Sequence, residues 1–170
     1  MPYEELLREK LQHIRDENRY RQFVPLSRIV GNLPYATWHN KDNEEEKEVI
    51  VWCTNDYLGM SHNKQVLEAF KEGCLTYGAG SGGTRNISGT AHLHVVLEQT
   101  MANLHKKEAG LLFVSGYAAN EGALSSLAQA LGNVVVFSDE KNHASIIQGI
   151  KLSKCAKRVF PHNDVDALEE

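Results

Sequence analysis

From residue 111 to its end the chain alternates short, wholly apolar runs with amphipathic helical patterns, and no other feature limits the fold as much. Residues 111–115 form one run, and Gly116 turns the chain into a helical pattern over 117–131 with Leu124, Leu127 and Leu131 on one face. A second run spans 134–138. A turn at 139–142 leads into a helix over 143–152 that carries Ile146, Ile147 and Ile150. Residues 158–160 are a third run, and Asn163 and Asp164 have the chemistry to cap a last helix. A strand that is apolar on both faces needs cover on both. Parallel sheets under helices meet that need, and antiparallel sheets with one wet face do not. The expectation is an α/β fold, a mostly parallel sheet covered by helices. The runs are too few to complete such a sheet, so the chain reads as the N-terminal part of a longer protein.

The first part of the chain has another texture. Tyr3, Leu7, Leu11 and Ile14 recur at helical spacing and predict a surface helix over 3–17. Residues 18–48 read as irregular and polar, with the acidic run Glu44, Glu45, Glu46 as a solvated turn. Residues 1–48 are therefore expected to be an arm, and 49–170 the main domain. An arm carrying Tyr20, Phe23, Tyr35 and Trp38 needs a surface to lie on, and a partner subunit is a candidate. Beyond it, residues 49–53 predict a strand, 63–77 a helix with Val66, Leu67, Phe70, Cys74 and Tyr77 on one face, and 91–106 another helix.

Composition narrows the function. At 170 residues the chain can bury a core, and 42% hydrophobic with 24% charged residues is ordinary for a globular protein. A net charge of −4 gives no footing for nucleic acid or an acidic membrane surface. Cys53, Cys74 and Cys155 lack metal or redox spacing, and the first two are expected to be buried thiols. His92 and His94 are two apart on a helix and face different ways, so no metal site is expected. No run approaches the length of a membrane span, and the first residues resemble neither a signal nor a transit sequence. The cytoplasm is the expected location.

The glycine-rich stretch GAGSGGTRNISGT spans 78–90. Five glycines give it backbone freedom, while Thr84, Arg85, Asn86 and Ser88 supply polar groups and one fixed charge. It reads as a loop that receives a polar or anionic ligand, or as a linker. Residues 78–83 match G-x-G-x-x-G, but a helical pattern precedes them where the dinucleotide fingerprint needs a strand, and that reading is rejected.

Three strand ends hold the remaining candidates, because open parallel sheets bind ligands beyond the carboxyl ends of their strands. At the first, Gly116 and Tyr117 open a helix whose free N–H groups suit an anion such as phosphate, with Tyr117 beside a flat ring. An ordinary strand–helix turn is the alternative. At the second, His143 opens a helix that disfavours the imidazolium. A neutral ring there can stack on an aromatic ligand or simply make local hydrogen bonds. Lys141 sits in a charged turn and reads as exposed. At the third, Asn55 lies in the turn NDYLG, which alone reads as structural.

Taken together, NDYLGM at 55–60, GAGSGGTRNISGT at 78–90, SGYAAN at 115–120, SDEKNHAS at 138–145 and HNDVDALE at 162–169 resemble the α-oxoamine synthases. These are fold type I pyridoxal-phosphate enzymes that join an amino acid to an acyl-CoA thioester and release CO₂. Arg19-Tyr20-Arg21-Gln22-Phe23 and the run from Gly83 to Thr90 are similar to the branch that condenses glycine with succinyl-CoA. The glycine C-acetyltransferase and oxononanoate synthase branches are the alternatives, as is a short non-catalytic chain that keeps the fold. The resemblance implies that Gly116 and Tyr117 hold the pyridoxal 5'-phosphate and that His143 stacks on its ring. It implies that Asn55 helps hold the glycine carboxylate, and that Ser138 and Lys157 face the acyl-CoA. Arg21, Thr84 and Asn86 would receive the succinyl end from a neighbouring subunit of a homodimer. It further implies that the Schiff-base lysine lies beyond residue 170, so that this segment alone lacks synthase activity.

Overall fold

The computed structural model describes residues 3–40 and 45–170. The chain divides into two compact units, one running through Gly80 and the other from Ser81 to Glu170.

The first unit opens with helix α1 (Tyr3–Asp16), which buries none of its residues. A three-stranded antiparallel sheet follows, in the order β1 (Leu26–Arg28), β2 (Tyr35–His39), β3 (Glu46–Ile50). This corrects the expectation of an irregular stretch over 18–48. Pro25 and Pro34 stand immediately before β1 and β2, where a missing N–H breaks no ladder bond, so the prolines border the strands instead of interrupting them. Tyr35, Thr37 and Trp38 suit a pleated surface. The strand expected at 49–53 lies earlier. Tyr35 pairs with Ile50 and His39 with Glu46, after which the chain leaves the sheet and Trp52 is 90% exposed. β3 thus runs across the 48/49 boundary. Glu44 of the acidic run lies outside the described residues, and Glu46 opens β3.

Helix α2 (Lys64–Tyr77) starts where Asn63 accepts the N–H groups of Gln65 and Val66 on its side-chain oxygen. Its apolar face is uncovered within the unit, and no residue of the helix is buried. Cys53 and Cys74 are accordingly exposed, against the expectation of buried thiols.

The second unit contains α3 (His92–Leu104), α4 (Gly116–Leu131), β4 (Val135–Asp139), α5 (Ala144–Ser153), β5 (Ala156–Phe160) and α6 (Val165–Glu169). β4 and β5 are parallel, with Val135 opposite Ala156 and Asp139 opposite Phe160, and α5 is their crossover. Residues 111–115 form no strand. A strand exists only against a partner's backbone, none of the described residues supplies one, and Val114 is 98% exposed. The core of this unit is the α4–α5 crossing, where Ala128, Ser145, Gly149, Ile150 and Ser153 are buried. A Cβ on Gly149 would come within 2.9 Å of Leu124 Cβ and 3.1 Å of Asn120 O, so the absence of a side chain there sets how closely the helices approach.

Candidate functional site

The starts of α4 and α5 carry the densest cluster of candidate residues. Ser115 caps α4 by accepting the Ala118 N–H on Oγ at 3.1 Å. The N–H groups of Gly116 and Tyr117 keep no partner among the described residues, and nothing lies within 4 Å of where a Gly116 Cβ would sit. A helix of 16 residues therefore presents two free donors to open space. Tyr117 meets His143, the N-cap of α5, edge to face, with ring centroids 6.2 Å apart and planes at 74°. Donors for an anion and two rings for a flat heterocycle suit pyridoxal phosphate, and the residues present fit the group.

His143 is held from behind by two residues whose part the sequence reading missed. Ser145, 0% exposed, places its Oγ 2.7 Å from His143 Nδ1 and donates its backbone N–H to the same nitrogen at 3.2 Å. Asn120 donates from Nδ2 to Ser145 Oγ at 3.0 Å. The available signal was a polar side chain at the small-residue crossing face of each helix.

Near the end of β4, Ser138 is 5% exposed and accepts from Asn142 Nδ2 at 3.0 Å. With Lys157, Ile147 and Val159 it lines a cavity of about 210 Å³. At the same strand end Asp139 accepts the N–H groups of Asn163 and Lys141 at 2.9 and 2.7 Å, with His162 Nδ1 3.0 Å away. These bonds, that from Asn163 foremost, hold its carboxyl down at about 2.

The glycine stretch is a closed turn. Thr84 O accepts the N–H groups of Ile87, Ser88 and Gly89. Gly89 is buried, and a Cβ on it would land on the carbonyl of Gly83. Arg85 is not a free cation for a ligand: its guanidinium grips Glu98 through Nη1–Oε1 at 2.5 Å and Nη2–Oε2 at 3.1 Å. Glu98 Oε1 also accepts the Leu112 N–H at 2.7 Å. Arg85 first, and Leu112 second, bring the Glu98 carboxyl down to about 2. Thr84 and Asn86 are among the residues the turn leaves exposed, beside Ile87 and Ser88, and their side chains meet no partner among the described residues.

Arg21 and Asn55 belong to the first unit. Arg21 is exposed in the coil before β1. Asn55 is exposed in a loop fastened on either side of it. Thr54 Oγ1 accepts from Arg28 and from the Asp56 N–H, and Asp56 accepts from the Ser61 hydroxyl and N–H. The Ser61 bonds, above all that from its hydroxyl, lower the Asp56 carboxyl. Tyr117 and His143 are thus in contact, and Ser138 and Lys157 share one cavity. Arg21, Asn55, Thr84 and Asn86 stand singly, each with its polar end in solvent.

Comparison with known proteins gives the following. A family profile, aminotransferase class I and II, matches residues 47–170. The chain is 49% identical to the 5-aminolevulinate synthase of Rhizobium meliloti over 99% of its own length, and spans 41% of that relative. It is 48% identical to 5-aminolevulinate synthase 1 of Cereibacter sphaeroides, again spanning 41% of it. Identity to the human erythroid-specific, mitochondrial 5-aminolevulinate synthase is 46%, with 29% of that protein spanned. Among solved structures, serine palmitoyltransferase from S. paucimobilis with bound PLP superposes with a TM-score of 0.77 at 28% identity, covering 96% of this chain and 39% of that one. The 8-amino-7-oxononanoate synthase of Francisella tularensis superposes at 0.58 with 30% identity, covering 69% of this chain and 32% of that one. These likenesses indicate pyridoxal phosphate as the cofactor. No helix among the described residues is long and apolar enough to cross a membrane.

Proposed function

The chain belongs to the aminotransferase class I and II family, and on that premise we propose that it is a segment of a 5-aminolevulinate synthase, which condenses glycine with succinyl-CoA. The observation that carries the cofactor site is the Tyr117–His143 ring pair beside the open start of α4. Gly116 and Tyr117 N–H receive the phosphate, and His143 lies against the pyridine ring. The bound cofactor supplies an electron sink for the glycine α-carbon. The chain's own residues bind and orient: Asn55 steadies the glycine carboxylate, and Ser138 and Lys157 border the acyl-CoA. Arg21, Thr84 and Asn86 select the succinyl carboxylate across a homodimer interface. Their unspent donors support this role, because a planar guanidinium with a hydroxyl and an amide suits a carboxylate and is left unsatisfied by a neutral acyl chain. The segment spans 41% of the first synthase it resembles, which supports placing the remaining chemistry, the Schiff-base lysine included, in residues outside it.

Two measurements on the full-length protein test this reading. Glycine and succinyl-CoA should yield 5-aminolevulinate, and failure to form it would overturn the assignment. Arg21→Leu should raise KM for succinyl-CoA by about one to two orders of magnitude, the range for a lost charge-assisted bond, and change KM for a neutral acyl-CoA little. Equal effects on both substrates would remove Arg21 from the carboxylate site.

A further inference from the structure

We propose that Asn120 and Ser145 are positioning residues that fix the tautomer and the ring plane of His143. The inference rests on the reading that His143 lies against the cofactor ring. Its own footing is the direction of three hydrogen bonds. A backbone N–H can only donate, so the Ser145 N–H, 3.2 Å from His143 Nδ1, makes that nitrogen an acceptor. The 2.7 Å contact between Nδ1 and Ser145 Oγ must then run from the hydroxyl proton to the ring. With its proton committed, Oγ receives on a lone pair, and Asn120 Nδ2 is the donor at 3.0 Å. Each group has one role, and the chain runs one way, from Asn120 through Ser145 to His143. The ring proton is left on Nε2, which meets no partner among the described residues and stays available to whatever occupies the site.

Packing does not demand this arrangement. Ser145 sits on the crossing that also buries Gly149 and Ala128, and an alanine would fill the same space. The hydroxyl is fully buried, and a buried hydroxyl is retained without loss only when its bonds are made. Here they are spent on a residue at the site. Asn120 reaches Ser145 from α4, the helix whose first turn carries Gly116 and Tyr117, so the helix that offers the free donors also sets the ring.

The test uses the full-length protein labelled with ¹⁵N-histidine, with the His143 signal identified by its loss in His143→Asn. In the parent the Nδ1 resonance should lie at an acceptor position and Nε2 at a protonated one. Ser145→Ala and Asn120→Ala should each move Nδ1 toward the average of exchanging tautomers, and Ser145→Thr should restore it. The same two alanine variants should change the induced circular dichroism of bound pyridoxal phosphate. They should weaken its binding by about five- to tenfold, the range one lost hydrogen bond produces. An unchanged His143 signal in both alanine variants, or a protonated Nδ1 in the parent, overturns the proposal. A moved signal with an unchanged cofactor spectrum supports the three-residue chain and instead sinks the placing of His143 against the cofactor.

Discussion

Glu98 is a single carboxylate with two tasks, since it holds both prongs of Arg85 and the Leu112 N–H. Its side chain is only 16% exposed, so the grip is partly sheltered from solvent. Together with Asp139, it titrates far below an ordinary acid, each at about 2 against reference values of 4.5 and 3.8. The sign follows from that depression. Their stabilising contributions are complete above the unfolded values and are lost as pH falls from about 4.5 toward 2. Glu98→Gln should therefore flatten the acid limb of the stability profile across this window. Circular dichroism during acid titration reads this directly, and a limb as steep as the parent's would show that Glu98 does not set it. The sequence made Arg85 look like a ligand's counter-ion. A charge in a glycine-rich stretch gives no sign of an acid 13 positions away that claims it.

Among the elements, the α4–α5 crossing depends most on one position. Gly149→Ala would drive a methyl against Leu124, Asn120 and Glu121, and overpacking of this kind costs about 1–3 kcal/mol. Denaturant unfolding of the full-length protein should show that loss, and neutrality would mean that the helices separate freely. Ser115→Ala, which removes the α4 cap, should cost about 1 kcal/mol in the same measurement. Helices α1 to α6 were legible because spacing and caps are local: Asn63, Ser115, His143 and Asp164 cap their helices through side-chain acceptors. β4 and β5 were legible as apolar runs. The β1–β3 sheet was not, because its strands are short, half-polar and bordered by prolines, and pairing across a hairpin leaves little trace in periodicity. Residues 111–115 failed the opposite way, having the composition of a strand and no partner among the described residues. At the proposed site, family likeness singles out exposed residues from the sequence alone. It does not single out Asn120 and Ser145, whose hydrogen bonds reach the proposed site only through the His143 ring.

At the scale of the molecule the dominant fact is uncovered apolar surface. Trp52, Tyr57, Leu58, Phe70, Leu75 and Val114 are exposed, and α1 and α2 bury nothing. Exposed apolar side chains in such number mark interfaces or a liability to associate. These 170 residues in isolation should therefore self-associate with rising concentration in analytical ultracentrifugation, beyond the homodimer proposed above. A segment that stays monomeric at high concentration would show that these faces find cover within it.

The closed turn at Gly83–Gly89 has a consequence for how such a protein can diverge. Its curvature is carried by main-chain groups and by one half-buried ion pair, so the exposed side chains of Thr84 and Asn86 contribute almost nothing to holding it. Frame and fingertip are separable. Substitutions at Thr84 or Asn86 can therefore be sampled at little expense to folding, whereas Gly89 admits no change. With Thr84 and Asn86 in the role proposed for them, a lineage, or an engineer, can retune the acyl tail while inheriting the loop intact.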